Sequence, residues 1–275
     1  MKGNGRKIVI YGLALIICIG CLFPFLWIFV SSIKDIRELY TVPPAWIPKA
    51  PTLKNYIKVL YHSNIPQYFI NSTIIATGST LLAMILSVFS AYGFVRFQFR
   101  GSRFLQTAIL ASQMLPTAVI IVPLFIVLRS LNLINTHLGL ILAYLILTLP
   151  LCVWMIMGYF RSIPLALEEA AAIDGCSRVG VLTRIVLPIA IPGIIATAVY
   201  SFITSWNEFI FALSFASDKR IMTLPIGLAE FASDFYVDWG SIMAASFIMT
   251  IPIAVFFLAL QKLFISGLMS GATKG

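Results

Sequence analysis

Six long apolar stretches dominate this chain and limit what it can fold into. They lie at residues about 8–30, 69–94, 104–128, 138–159, 189–213 and 241–265. Each is close to the ~20 residues that a helix needs to cross a ~30 Å hydrocarbon layer. Because lipid offers the backbone no hydrogen-bond partners, such segments must be helices. The pattern therefore predicts an all-α integral membrane protein with six transmembrane helices in a single domain, 1–275.

The composition excludes most soluble classes of protein. Apolar residues make up 60% of the chain and charged residues 11%, and the mean hydropathy is +0.99. A soluble domain has roughly 25% charged residues. The net charge of +9 would suit nucleic acid in a soluble protein. Here the basic residues lie in short segments between apolar stretches, so membrane topology explains them and no nucleic-acid partner is expected.

The distribution of lysine and arginine predicts the orientation. The first apolar stretch is longer than the 7–15-residue core of a signal peptide, so we expect it to remain as the first span. Six spans put both termini on one side, and placing them in the cytoplasm puts the larger share of basic residues inside. The inside set is Lys2, Arg6, Lys7, Arg96, Arg100, Arg103, Arg161, Arg178, Arg184, Lys262 and Lys274.

The sequence lacks the patterns of a catalytic or metal site. It contains no G-x-x-x-x-G-K-[ST] phosphate loop, and no nucleophile–base pair or carboxylate dyad stands out. The cysteines, Cys18, Cys21, Cys152 and Cys176, have no accompanying metal ligands, so we interpret them as small apolar residues. His62 and His137 are assigned no role. We predict a protein that is not an enzyme and carries no cofactor or metal of its own.

A charged segment, 161–188, separates the fourth and fifth stretches. Ser162 and Pro164 form a helix-start signal, a capping hydroxyl followed by proline. The helix that follows is expected over residues 165–173. Its two early glutamates, Glu168 and Glu169, suit the positive end of the helix dipole.

The second half of this segment predicts a turn and another helix. Gly175 can end the first helix in a left-handed conformation. Ser177 can cap a second helix that stops by Pro188. From the residues alone, the segment suits a plain connecting loop and a docking surface for a cytoplasmic partner equally well.

The segment also resembles a known motif. Glu169-Ala170-Ala171, then Gly175, then Ile185-Val186-Leu187-Pro188 resembles the cytoplasmic coupling loop of permease subunits of ATP-binding-cassette importers. Asp174 matches too, whereas Cys176, Val179 and Leu182 depart from the commonest form. Further stretches look like the sugar-type branch, specifically its maltose-permease-like second membrane subunit: "PPAWIPKAPTLKNY", "AYGFVRFQFRG", "LPTAVIIVPLFIVLRSLNLINTHLGLIL", "SWNEFIFAL" and "GLMSGATKG".

The resemblance implies an importer-type permease fold and a function. The chain would form half of the translocation pathway for a sugar or related polyol in a bacterial or archaeal cytoplasmic membrane. Its partners would be a second permease subunit, two ATP-binding subunits that hold ATP and Mg, and an extracytoplasmic sugar-binding protein. The coupling residues would be Glu168, Glu169, Ala170, Ala171, Asp174, Gly175, Leu187 and Pro188. Glu169 would pair with a basic residue of the ATPase, Ala170 and Ala171 would allow close seating, and Gly175 would hold a turn that a side chain obstructs.

A second set of residues is a candidate for the translocation pathway: Ser205, Trp206, Asn207, Glu208 and Gln113. Glu208 is the only acid inside an expected span, and an intramembrane carboxylate usually faces a bundle interior or water. Asn, Glu, Ser and an aromatic ring suit a hydroxyl-rich sugar. The alternatives are a structural contact with the partner subunit for this group, and a proline bend without function for Gln113 and Pro116.

Two other functions stay open. An ATP-independent secondary carrier would more often show 10–12 spans or inverted repeats with midplane ion ligands. An importer permease for a non-sugar solute would share the coupling segment. A membrane enzyme or a pure scaffold fits the residues less well, because the first needs a catalytic pair and the second needs no coupling segment.

Overall fold

The computed structural model describes residues 2–97, 99–232 and 236–272, and this part of the chain is almost entirely helical. Thirteen α-helices are named here in chain order: α1 Lys2–Ser32, α2 Ile36–Leu39, α3 Lys54–Tyr61, α4 Ile65–Arg96, α5 Ser102–Ala111, α6 Thr117–Ser130, α7 His137–Ser162, α8 Leu165–Ile173, α9 Arg178–Val181, α10 Leu187–Trp206, α11 Ile210–Phe215, α12 Leu224–Ala229 and α13 Trp239–Ala272. Within the described ranges, the only β-type pairing is an isolated bridge between Ala232 and Val237. Lys274, and with it the end of "GLMSGATKG", lies outside the described residues.

The expected spans correspond to long apolar helices. Among the described residues, five helices are long and apolar enough to cross a membrane, and the number rises to six if one bent pair of helices counts as a single span. The five are Val9–Ser32, Ile65–Arg96, His137–Ser162, Arg178–Trp206 and Trp239–Ala259. The all-α membrane fold predicted from the sequence is therefore confirmed.

The third expected span, 104–128, is sharply bent. Ser102–Met114 and Thr117–Ser130 meet at an angle of 105°. Leu115 is extended, with ψ 127°, and Pro116 precedes the first residue of α6. A residue before proline is disfavoured in the helical region, so the chain turns here instead of continuing straight.

The fifth span is longer than expected, and the prediction that a separate helix stops by Pro188 is wrong. Helix α9, a π-turn at Leu182–Val186 and α10 run without a break from Arg178 to Trp206. Pro188 lies in the first turn of α10, and Pro192 lies inside that helix. Proline removes a backbone donor, but in membrane helices local π-type adjustments and neighbouring groups accommodate the loss.

The chain divides into two compact units. The first is Met1–Gln67 with Gly227–Pro252. Its segment between α1 and α4 holds the short helices α2 and α3. Lys34 is buried there: its Nζ donates to the carbonyl of Ala45 at 2.5 Å and lies 4.3 Å from the ring centre of Trp27. Lys58 and Asp238 form an ion pair at 2.6 Å.

The second unit is Tyr68–Ile226 with Ile253–Gly275, and its described residues include two apolar cores. One core joins the later part of α4 to α7, α8 and α10, around Tyr92, Ile156, Phe160 and Val186. The other joins α4, α6, α7 and α11, around Ile75, Tyr144, Phe211 and Phe215. Helices α7 and α10 lie very close to each other at Gly193. A Cβ at this position would overlap the ring of Tyr159. The first core supports the charged segment 161–188.

Candidate functional site

The helix expected over residues 165–173 is confirmed as α8, Leu165–Ile173. The proposed cap at its start is wrong, because the hydroxyl of Ser162 donates back to the carbonyl of Tyr159 at 2.7 Å. The residue that precedes α8 is Pro164, which makes no side-chain cap. Its fixed φ is −59°, so proline geometry and not a hydroxyl begins this helix.

The end of α8 forms a Schellman-type turn. Gly175 has φ +82°, and its N–H donates to the carbonyl of Ala172 at 3.1 Å. The N–H of Cys176 donates to the carbonyl of Ala171 at 3.0 Å. These two bonds satisfy carbonyls that a helix end leaves free. The expected left-handed glycine turn is confirmed.

The reason for glycine at this turn differs from the expectation. A Cβ at Gly175 would meet nothing within 4 Å, so no neighbour in this chain obstructs a side chain. The constraint is the positive φ itself, which costs other residues roughly 1–2 kcal/mol. The next predicted cap is confirmed, since the Ser177 hydroxyl accepts from the N–H of Gly180 at 3.2 Å.

The two adjacent glutamates of α8 point in opposite directions. Glu168 is 7% exposed, whereas Glu169 is exposed to solvent. The Glu168 carboxylate is paired inside the protein: Arg96 Nε donates to its Oε1 at 2.6 Å, and the Tyr92 hydroxyl donates to its Oε2 at 3.2 Å. Glu168 therefore has no free face for a partner, while Glu169 has one.

Arg96 connects three elements at this point. It is the last residue of α4, and its Nη2 donates to the carbonyls of Phe160 at 2.9 Å and Ile163 at 3.2 Å. One guanidinium thus joins the end of α4, the end of α7 and the first turns of α8. Removing one member of a buried pair leaves an uncompensated charge and is strongly destabilising.

Sequence reasoning missed the role of Arg96, which it counted only as one of several cytoplasmic basic residues. Its partner lies 72 positions away in the chain. The one available signal was an arginine at the end of a long apolar stretch, together with a segment later in the chain that contains two adjacent acids. Such a signal does not identify which of the two acids is the partner.

The alanines Ala170 and Ala171 of α8 also face different sides of the helix. Ala170 is exposed, whereas Ala171 is 8% exposed and packs in the first core. The expectation that both alanines offer a close-approach face is therefore wrong for Ala171. Ile173, about one turn after Ala170 in the same helix, is 87% exposed, so this side of α8 also carries an apolar residue. Asp174 and Gly175 are exposed at the end of the same surface.

Leu187 and Pro188 do not belong to this exposed surface. They lie in the continuous helix after the π-turn, and Leu187 packs against the first core. The structure brings together Glu169, Ala170, Asp174 and Gly175 on the outside of one helix–turn unit. Glu168 and Ala171 fasten that unit from beneath.

Glu208 lies in the turn between α10 and α11, beyond the apolar span that ends at Trp206. It is 9% exposed, and its two oxygens accept the N–H groups of Phe211 at 2.9 Å and Ala212 at 3.1 Å. The carboxylate therefore caps the start of α11. The expectation of an acid inside a span is corrected to a capping acid at the end of one.

The neighbours of Glu208 are mostly inside the protein. Trp206 is 1% exposed and packs against the rings of Phe202 and Phe69, with centroids 5.6 Å away in both cases. Ser205 is buried, and its hydroxyl has no hydrogen-bond partner within the part of the chain that the structure describes. Asn207 is the exposed member of the four, and its amide donates to the carbonyl of Ile203 at 2.9 Å.

Gln113 lies in a 3₁₀ turn, Ser112–Met114, just before the 105° bend. It is exposed, and its amide donates to the carbonyl of Leu147 in α7 at 3.1 Å. This bond fastens the bend to α7. The hydrogen bonds of the Gln113 amide go to the carbonyls of Ile146 and Leu147 in α7, and not to residues 205–208.

Comparisons with known proteins agree with this architecture. Residues 79–269 match the family described as "Binding-protein-dependent transport system inner membrane component". The chain is 39% identical over 273 residues to the trehalose/maltose transport system permease protein MalG of Thermococcus litoralis, covering 98% of this chain and 97% of that one. It is 37% identical over 262 residues to the sulfoquinovosyl glycerol transport system permease protein SmoH of Agrobacterium fabrum, covering 95% and 92%.

A solved structure shows the same fold. A chain from a bacterial ABC transporter involved in the import of the acidic polysaccharide alginate superposes with a TM-score of 0.79. The two chains are 21% identical, and the match covers 96% of this chain and 98% of that one. At this identity the likeness concerns the fold.

Proposed function

Since the chain belongs to the family of binding-protein-dependent transport system inner membrane components, a multi-pass family of the cytoplasmic membrane, we propose that it imports a carbohydrate as one permease subunit of an ATP-driven transporter. It supplies half of the translocation pathway. The relatives named above transport sulfoquinovosyl glycerol and trehalose or maltose, which supports a sugar or related polyol as the substrate class. Both termini lie in the cytoplasm, as the distribution of basic residues indicates.

The proposal includes partners. A second permease subunit completes the pathway, and an extracytoplasmic sugar-binding protein delivers the substrate. Two ATP-binding subunits bind ATP and Mg, because this sequence has no phosphate loop of its own. The chain itself is not an enzyme and depends on these subunits for energy.

The observation that carries the proposal is the opposite orientation of Glu168 and Glu169. The exposed side of α8 offers Glu169, Ala170 and the apolar Ile173 to a partner. The other side is fixed to the body of the second unit through Glu168 and Ala171. A helix held this way can follow a partner's motion without separating from its own chain.

Arg96 transmits the motion of α8 to the membrane-spanning helix α4. When the ATP-binding subunits close, α8 moves with them as a rigid body. The guanidinium then pulls on the end of α4, since it holds the Glu168 carboxylate at 2.6 Å and belongs to that long helix. Energy passes from ATP to the spans only if this contact differs between the two states of the transporter.

Purification of the tagged chain from its native membrane tests the proposal. We expect a second permease and two copies of an ATP-binding subunit to accompany it. ATP hydrolysis should rise when a sugar-loaded binding protein is added. A chain that purifies alone and moves solute without ATP would be a secondary carrier. A complete complex that responds to no carbohydrate would be an importer for a different solute.

A further inference from the structure

A cavity of about 710 Å³ opens in the second unit where three membrane-spanning elements end. Its walls come from the end of α4, the start of α5 and the end of α7. Three arginines line it, Arg100, Arg103 and Arg161, and all three are exposed. Its lining includes no aspartate or glutamate. Within the described residues, none of the three arginines forms an ion pair.

The cavity wall is ordered by side-chain hydrogen bonds. Arg161 Nη2 donates to Oε1 of Gln106 at 3.0 Å, and Nε2 of Gln106 donates to the Ser102 hydroxyl at 3.0 Å. The chain of bonds holds Arg161 beside the first turn of α5. The guanidinium keeps its remaining N–H donors, and a guanidinium presents five in a fixed fork.

The backbone adds to the positive character of this cavity. Helix α5 begins after Gly101, has ten residues, has no side-chain cap and has no acid in its first turn. The positive end of its dipole therefore acts in the same direction as the arginine donors. Such donors bind phosphate oxygens well.

The surroundings of the cavity are apolar and aromatic. Phe94 and Phe99 stack with centroids 6.0 Å apart in the lining, and Phe99 is 43% exposed. Phe104, the third residue of α5, is 74% exposed. Arginine side chains near the ends of spans reach the membrane interface, so exposed phenylalanine rings beside them lie next to the acyl region.

We infer that this arginine-lined cavity binds the phosphate headgroup of an anionic phospholipid in the cytoplasmic leaflet. The three guanidinium groups hold the phosphate oxygens, while the exposed phenylalanines lie along the acyl chains. Basic pockets between transmembrane helices on the cytoplasmic side bind such headgroups in other membrane proteins. The inference depends on the membrane orientation proposed above, but it does not depend on transport or on the ATP-binding subunits.

The test measures lipid binding to the purified full-length chain in detergent micelles. Phosphatidylglycerol and phosphatidylcholine of equal chain length are titrated, and bound lipids are counted by native mass spectrometry. We expect the wild-type chain to prefer phosphatidylglycerol by about tenfold or more, because each basic residue near a membrane surface contributes measurably. The triple variant Arg100→Gln, Arg103→Gln, Arg161→Gln should lose most of that preference.

A matched control removes the same number of charges elsewhere. The variant Lys49→Gln, Arg129→Gln, Lys219→Gln changes three exposed basic residues outside the cavity, and we expect it to keep the wild-type preference. Equal loss in both triple variants would mean a general charge effect and would overturn the inference. So would an unchanged preference in the cavity variant.

Inorganic phosphate distinguishes the source of the anion. If the site is built for a lipid, millimolar phosphate should not displace bound phosphatidylglycerol. Full displacement by phosphate, without lipid preference, would indicate an ion site and contradict the lipid. Because the assay contains no ATP-binding subunit and no sugar, its failure leaves the transport proposal to be tested separately.

Discussion

Arg96 and Glu168 form an ion pair of 2.6 Å, and both side chains are almost completely buried. The arginine ends α4, and the glutamate lies in the first half of α8. The pair fixes the short helix that we propose as the coupling helix to a helix that crosses the membrane. Tyr92, one turn before Arg96, donates a second bond to the same carboxylate at 3.2 Å.

Breaking this pair should destabilise the protein and uncouple it. Arg96→Met leaves the Glu168 carboxylate buried without a guanidinium, which should cost about 3–5 kcal/mol of unfolding free energy. Thermal unfolding in detergent measures the loss. The double variant Arg96→Met, Glu168→Leu removes both charges, so its loss should be smaller than the sum of the single losses by about 0.5–3 kcal/mol. Additive losses would show that the two side chains do not interact.

Gly175 should be replaceable only by residues that accept a positive φ. Gly175→Ala is expected to cost roughly 1 kcal/mol of stability because alanine is strained at φ +82°, and Gly175→Asn should cost less. Gly158→Ala is the matched control. It lies inside α7 with no atom within 4 Å of an added Cβ, and alanine there should be neutral or mildly stabilising. Equal effects at Gly175 and Gly158 would contradict a conformational role.

Glu208 is expected to act on stability first. Glu208→Ala removes the acceptor for two N–H groups of α11, and loss of a helix cap costs about 0.5–2 kcal/mol. Glu208→Gln keeps one carbonyl oxygen and should recover part of this. If Glu208 instead lines the translocation pathway, its variants should keep their thermal stability and show an altered KM for the sugar. Measuring both quantities for each variant separates the two.

Acid should weaken the first unit through Asp238. Burial raises the pKa of this carboxyl, but the ammonium of Lys58 and the hydroxyl and N–H of Ser241 outweigh it, so the pKa is lowered from its ordinary value. A carboxyl whose pKa is lower in the folded than in the unfolded state stabilises the fold at pH values above its unfolded-state pKa. This contribution is lost as the pH falls through its folded-state pKa. The contribution should therefore be complete at neutral pH and fade below about 3.8. Asp238→Asn should flatten that part of a pH–stability curve, and an unchanged curve would rule the pair out.

The sequence predicted part of the local structure of the charged segment 161–188, because local rules decide that part. Helix propensity places α8 at Leu165–Ile173, and the positive φ of Gly175 follows from a glycine at a helix end. The cap at Ser177 follows from the side chain's own reach to the N–H of Gly180. The orientation of Glu169 outwards and Glu168 inwards could not be obtained this way, because it depends on where Arg96 lies.

The failures share a physical origin. Proline commonly ends a helix in water, but here the helix continues from a π-turn at Leu182–Val186 through Pro188 to Trp206. Ser162 has the chemistry of a cap, yet its hydroxyl finds a carbonyl three residues back. Glu208 seemed to lie within a span because hydropathy places span ends only approximately. Each outcome depends on geometry that periodicity does not contain.

Reversal of the charge of Glu169 tests most directly whether α8 docks the partner ATPase. This side chain is exposed, so Glu169→Lys should leave thermal unfolding within about 0.5 kcal/mol of wild type. Co-purification of the ATP-binding subunits and ATP-dependent uptake of sugar into proteoliposomes are then measured for this variant. Lys219→Glu, which reverses an exposed charge outside the charged segment 161–188, is the control. We expect Glu169→Lys to lose association or uptake by about tenfold or more while the control keeps both. Normal association and uptake in a stable Glu169→Lys variant would show that α8 does not dock the partner ATPase.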